Sequence, residues 1–200
     1  MPSAAMRVNG GRGDQERAVV REIVLPETRP EIEWLRGRAV RKMSPRASHS
    51  AAEQWWAERL RRWAGDRGLV LHEWRFRVAP PGEEVRPLVP DVSYVSRERL
   101  DALAPEDRET PPLAPDVAVE IRSPGDSRAD VMDKAGTLLR AGSTLVVIVN
   151  SRTRTVIARD SAAATIFSRG ETFAHPALPG FAVAIDAMFE ELRAALRPRG

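Results

Sequence analysis

An α/β fold is what this sequence predicts, on three observations. A short apolar strand pattern, PDVAVEI, runs into a helical segment, DSRADVMDKAGTLLRAG, and then into the strongly apolar STLVVIVN. Strand, helix and strand in that order are the pattern of a crossover between parallel strands. SHSAAEQWWAERLRRWAGDRG carries apolar residues at helical spacing, and AVAIDAMFEELRAALR closes the chain as a second amphipathic helix.

The remaining elements follow in order. Residues 1–13 are glycine-rich and read as a flexible tail, with 14–200 as one domain. Asp14 to Leu25 reads as a short helix stopped near Pro26. EIEWLRGRAVRKM reads as two short strands meeting at a turn of Arg36-Gly37. In the tryptophan-rich helix, Ser48 or Ser50 is the expected N-cap and Gly65 or Gly68 marks the exit. Ala52, Trp56, Leu60 and Trp63 fall on one face, which reads as core packing ahead of a ligand surface, with Trp55 beside it. Arg59, Arg61 and Arg62 form its solvated side, or a face for phosphates.

GLVLHEWRFRVAP and RPLVPDVSYVS read as strands joined by the turn PPGEE, with Pro90 restricting the backbone before Asp91. ALAPEDRETPPLAP reads as an exposed connection with too much proline for regular structure throughout. Beyond it, the two-residue period of a strand sets Asp116, Ala118, Glu120 and Arg122 on one face, against Val117, Val119 and Ile121 on the other. Asp130 and Lys134 are an i,i+4 pair on the helix that follows. RTVIARD and ATIFSRG read as strands around Asp160-Ser161. A loop with His175 and Pro179-Gly180 then leads to the last helix. No internal repeat interrupts this order.

The 200 residues are 42% apolar and 30% charged, enough for one real core. Thirty-one basic against 28 acidic residues give a formal charge of +3, which by itself does not imply nucleic acid. Lys42 and Lys134 are the only lysines; every other basic side chain is arginine. Cysteine is absent, which excludes disulfides, thiolate catalysis and cysteine-ligated metal sites. Neither a signal-peptide core nor a membrane-length apolar run is present, so a soluble, cytoplasmic protein with no membrane partner is expected. No GxxxxGK[ST] loop suggests a nucleotide cofactor, and three dispersed histidines make no zinc signature.

Asp91 and Glu120 stand on two apolar strands, and strand pairing would bring their carboxylates together. Two close carboxylates repel, so they call for either a shared hard cation, Mg²⁺ or Mn²⁺, or a buried salt-bridge network.

Along the chain stand IEWLRG, Ser44-Pro45 before His49, PDV at 90–92, VEIRSP at 119–124, Asp130, Lys134, and RAG at 140–142. Together these resemble the Uma2 family (DUF820), a restriction-endonuclease-like family of the PD-(D/E)xK nuclease superfamily, from about Glu31 to the C-terminal helix. The resemblance implies a restriction-endonuclease-like α/β core, a mixed central β-sheet flanked by helices. It implies a Mg²⁺-dependent endonuclease of DNA, with Mn²⁺ as an alternative cofactor. Asp91 and Glu120 would bind the metal, helped by the Ile121 carbonyl, and Lys134 would be a displaced catalytic lysine. Glu33, His49 and Arg122 would support the site. The superfamily's lysine two residues after the acid is absent: Arg122 stands there, and an arginine does not act as a neutral base at ordinary pH. It would instead fork onto a phosphate, or pair with Asp116 or another acidic neighbour.

Three positions depart from the family's pattern: Leu138 and the strand after Gly142 lack its aromatic residues, and Asn150 replaces an aspartate. These changes read as altered packing and turn chemistry, and the proline-rich stretch 104–115 as an insertion that could shape substrate access. A homodimer and a separate specificity partner are expectations by family analogy. The alternative is a non-catalytic nucleic-acid-binding or assembly protein on the same scaffold.

Overall fold

The structure, a computed structural model, describes residues 5–8, 21–28, 30–42, 46–123 and 125–197. Its first strands, β1 (Ala5–Val8) and β2 (Arg21–Val24), pair antiparallel. β1 lies within the expected tail. Arg21–Val24 is a strand and not the end of a helix. Its backbone is claimed on both sides, because Ile23 N–H donates to Val85 O at 2.9 Å and Val85 N–H to Arg21 O at 3.0 Å. The earlier part of that expected helix lies outside the described residues.

β3 (Ile32–Leu35) and β4 (Arg38–Arg41) form the expected hairpin. Arg36 and Gly37 both take positive φ, 48° and 73°, the two left-handed residues a tight hairpin turn requires. Helix α1 (Ala47–Ala64) follows. Its N-cap is Arg46, so Ser48 and Ser50 lie inside the first turn and cap nothing, while Gly65 is the C-cap as expected. Ala52, Trp56 and Leu60 are fully buried, and Trp63 is packed against the same cluster.

β5 (Gly68–His72) and β6 (Phe76–Val78) replace the single strand expected there; Glu73, at φ 45°, turns the chain between them. β7 (Arg86–Leu88) pairs with β6, and β8 (Val92–Ser96) with β5. Val89-Pro90-Asp91 is thus a break between strands, as proline's missing N–H dictates. A short helix, α2 (Arg97–Asp101), opens the connection to the next strand. That connection is not exposed throughout: Pro111 and Ala114 are buried, and Pro111 O accepts from Arg77 N–H.

β9 (Val117–Arg122), α3 (Arg128–Arg140) and β10 (Leu145–Asn150) make the crossover, with β9 and β10 parallel. β11 (Thr155–Arg159) and β12 (Ala164–Phe167) continue antiparallel around Asp160, whose Oδ1 accepts from the Ala162 and Ala163 N–H groups. β13 (Thr172–Ala174) and β14 (Ala182–Ala184) form a small hairpin around the expected loop; β14 takes the first three residues expected in the last helix, because Ala182–Ala184 pairs with β13, and α4 (Ile185–Ala195) closes the chain.

The central sheet has the order β12-β11-β10-β9-β8-β5 and is mixed. The alternation along β9 separates two cores. Val117, Val119 and Ile121 join Trp56, Leu60, Met188 and Phe189 under α1 and α4. Ala118 joins Leu35, Phe76, Leu88 and Leu138 under α3 and the two small hairpins. Leu138 is buried packing, and Asn150 Oδ1 accepts from the Arg152 and Thr153 N–H groups, so both departures serve the fold.

Candidate active site

The register Val92↔Val119, extended by one residue, sets Asp91 opposite Glu120 on the face turned to α3. α3 starts with Ser127 as its N-cap and carries Lys134 two turns in, pointed down onto β9. The β3–β4 hairpin lies across the other side and brings Glu33 and Lys42. Glu33, Asp91, Glu120 and Lys134 are all buried, at 3–7% exposure in a protein whose charges are otherwise mostly at the surface.

Their contacts form one network. Lys134 Nζ lies 2.7 Å from Glu33 Oε1 and 2.9 Å from Glu120 Oε2. Lys42 Nζ lies 2.6 Å from Asp91 Oδ1. Both ammonium groups donate to the same oxygen, Val89 O, at 2.8 Å for Lys134 and 3.1 Å for Lys42. Val89 N–H donates to Glu33 Oε1 at 2.6 Å. The strand break at Pro90 makes this possible, since it removes the Val89 peptide from any ladder and leaves both its polar groups to side chains. Asp91 Oδ2 accepts from Ile121 N–H at 2.6 Å, so Ile121 meets the acid through its N–H. Glu120 Oε1 is buried with no hydrogen-bond partner.

The electrostatics divide the two strand acids. Burial would raise Asp91, but Lys42, His49 and Lys134 more than cancel it and hold the carboxyl far below the usual range. Burial raises Glu120 to about 8; Lys134 opposes that, and Asp91 and Glu33 reinforce it. At neutral pH Glu120 therefore holds a proton. Burial alone would lower both lysines, yet the surrounding carboxylates hold both above the ordinary value, Asp91 chiefly for Lys42 and Glu120 for Lys134. The two ammonium groups thus stand among the acids whose negative charge keeps them protonated in a buried site.

His49 stands in the first turn of α1 at the cavity wall. Its Nδ1 is 3.0 Å from Ser123 Oγ and its Nε2 is 3.6 Å from Asp91 Oδ2. Burial lowers its pKa, and the Asp91 carboxylate outweighs that to raise it. Ser44 and Pro45, which precede it, lie outside the described residues. Arg122 lines the cavity rim and donates to Asp126 O at 3.4 Å. It does not pair with Asp116, which holds Arg99 at 2.8 Å. Asp130 does not pair with Lys134; it holds Arg38 at 2.6 Å and Arg36 at 3.5 Å, tying the hairpin to α3.

The cluster floors a cavity of about 360 Å³, with Arg38, Arg41 and Arg122 among the residues lining it. Acids below and guanidinium groups around the opening can hold a phosphate ester over a cation. Residues 104–115 are not among its lining. Sequence reasoning placed Asp91, Glu120, Glu33, His49, Arg122 and Lys134, and all six line this one cavity. It missed Lys42, for which the one available signal was lysine itself, used twice in an arginine-rich chain and both times here.

Comparison with known proteins agrees with this architecture. The family model for Uma2, described as "Putative restriction endonuclease", matches residues 22–186. A solved structure described as a "putative nuclease belonging to DUF820" from Anabaena variabilis ATCC 29413 superposes with a TM-score of 0.73. The two are 23% identical over 84% of this chain and 94% of the other, a likeness of fold. No curated protein matches.

Proposed function

This chain belongs to the Uma2 family, within the PD-(D/E)xK-like nuclease superfamily, and on that premise we propose that it is a divalent-metal-dependent DNA endonuclease centred on Asp91 and Glu120. The observation that carries the reading is Glu120 Oε1, a buried carboxyl oxygen with no partner, at the floor of a cavity that arginines surround. An orphaned buried oxygen is expensive unless something meets it. Among the described residues no three acidic or imidazole side chains are grouped as a metal site. The donor type nonetheless fits, because Asp91 and Glu120 offer the hard oxygens that Mg²⁺ and Mn²⁺ prefer. When bound, such a cation supplies polarisation of the phosphodiester and a water of lowered pKa.

The chain's own residues do the rest. Asp91 and Glu120, the latter as its carboxylate, would hold the cation. Lys134 is held charged by Glu33 and Glu120, so it takes no proton from water and instead offsets negative charge developing on the phosphate. Glu33 positions Lys134 and the Val89 peptide. His49, bonded to Ser123, is placed to relay a proton at the wall of the cavity. Arg122 offers the phosphate its fork of donors. A homodimer would present one centre to each DNA strand, which light scattering of the protein with and without duplex tests.

Cleavage of supercoiled DNA by wild type and folded Glu120→Gln protein, with EDTA, Mg²⁺ or Mn²⁺, is the decisive experiment. Metal-dependent nicking or linearisation that Glu120→Gln abolishes is the expected result; equal cleavage by both proteins would refute this centre. For the metal itself, calorimetric Mg²⁺ titration should show binding that an Asp91→Asn, Glu120→Gln protein has lost. A second reading, a non-catalytic nucleic-acid-binding protein, is favoured by one fact: both Asp91 oxygens are already taken, by Lys42 and by Ile121 N–H. It predicts DNA binding with no metal-dependent strand breaks.

A further inference from the structure

Beside the acidic cavity runs a second groove, of about 310 Å³, and the two share His49, Arg122 and Ser123 in their walls. Three arginines from three separate elements line it: Arg46 at the N-cap of α1, Arg122 at the end of β9 and Arg152 in the turn after β10. The rest of its lining is small and polar, with Ser48, Ser151 and Asn150 and no carboxylate.

Several arginines of this chain are spent on carboxylates. Arg75, Arg77 and Arg99 each hold a carboxylate, and Arg59 holds Glu191 while covering the Trp55 ring. Among the described residues, no carboxylate lies within ion-pair distance of Arg46, Arg122 or Arg152, and Arg122 Nε is buried without a partner. The first turn of α1 adds to the same field: it contains no acidic residue, and no side chain caps it. An 18-residue helix so left presents the positive end of its dipole to the groove. Uncompensated guanidinium groups, hydroxyls and a helix N-terminus gathered around one concavity call for an anion of several oxygens.

We propose that this groove holds a second phosphate of a polynucleotide backbone, adjoining the one over Glu120. The inference rests on the nuclease reading for its substrate class. Continuity of the two concavities through Arg122 supplies the geometry: a chain of phosphates crossing the acidic floor leaves it along Arg122 and passes between Arg46 and Arg152. The grip is on the backbone, so it adds affinity and register without reading bases.

The test is binding without turnover. Fluorescence anisotropy of labelled duplex and single-stranded oligonucleotides, in EDTA and over a range of salt, is measured for wild type, Arg46→Ala, Arg152→Ala and Arg97→Ala. Arg97 is exposed at the start of α2, at the opposite end of the sheet from Arg122, so its loss removes the same charge away from the groove. Thermal melting checks that each variant is folded. Arg46→Ala and Arg152→Ala are expected to bind about tenfold more weakly, with a duplex salt slope shallower by about 0.9 for each arginine–phosphate pair removed, and Arg97→Ala to stay near wild type. The proposal is overturned if Arg46→Ala and Arg152→Ala bind like Arg97→Ala, or if wild type binds neither oligonucleotide. Arginine-dependent binding together with no cleavage under any metal would leave the groove standing and sink the endonuclease reading alone.

Discussion

Substituting Glu120 by Gln in metal-free protein should flatten the pH dependence of its stability. Glu120 sits at about 8 in the fold against an ordinary 4.5, so the folded chain holds this proton more tightly than the unfolded one. The associated stability is complete below pH 4.5 and is lost as pH rises towards 8. Each pH unit of that gap is worth about 1.4 kcal/mol, which sets an upper bound of about 5 kcal/mol on the loss. Water entry and relaxation around the cluster absorb part of it. Gln is the neutral isostere of the protonated side chain, and its oxygen can still accept from Lys134. The variant should match wild type below pH 4.5 and become progressively the more stable of the two up to about pH 8, where the difference levels off. Asp91 and His49 titrate in both proteins, so the difference between them isolates Glu120. Urea unfolding in EDTA across that window measures it. A difference that does not grow with pH would show that Glu120 is already ionised in the fold and would refute the protonated state assigned to it.

Lys42→Met should destabilise the protein by about 3–5 kcal/mol at neutral pH, because it leaves the Asp91 carboxylate buried beside a group that no longer compensates it; adding Asp91→Asn should recover part of the loss in the same urea experiment. Trp56→Ala should cost about 3–5 kcal/mol through the cavity it opens between α1 and α4. Trp56→Phe should cost much less, since the indole N–H it removes is buried without a partner, and thermal unfolding of the pair would distinguish the two. Gly37→Ala, at φ 73°, should cost about 1 kcal/mol by calorimetry, and because the same hairpin carries Glu33 and leads into Lys42, it should also weaken Mg²⁺ binding.

How much of this was legible beforehand depends on the range of the signal. The crossover was readable because β9, α3 and β10 are long and periodic, and the two-residue period of β9 fixed which way Glu120 faces. The β13–β14 hairpin was not, since three residues per strand are too few to show alternation. Arg21–Val24 lies in an apolar run that suits helix and strand alike, and what decides it is Val85, more than 60 residues away. The site divides in the same way. Asp91 and Glu120 are marked by being acids in apolar strands, whereas Lys42 carries no local mark and meets Asp91 across 49 residues. The role of Pro90 was half legible: its restriction of the backbone could be read, but that the break would hand both polar groups of Val89 to Glu33 and the lysines could not.

That break also explains why lysine, and not arginine, serves at 42 and 134 in a chain otherwise given to arginine. Both ammonium groups converge on one carbonyl oxygen, at 2.8 and 3.1 Å, while each also reaches a carboxylate within 2.9 Å. A compact point charge with rotatable donors can share an acceptor in this way; two planar guanidinium groups would crowd the same oxygen and need a volume that the 3–7% exposure of the surrounding acids denies them. The same compactness leaves the cluster adjustable. Loss of the Glu120 proton adds one negative charge at the floor of the cavity, and under the metal-dependent reading proposed above that single proton is what would separate the cluster as it stands from one able to take a cation.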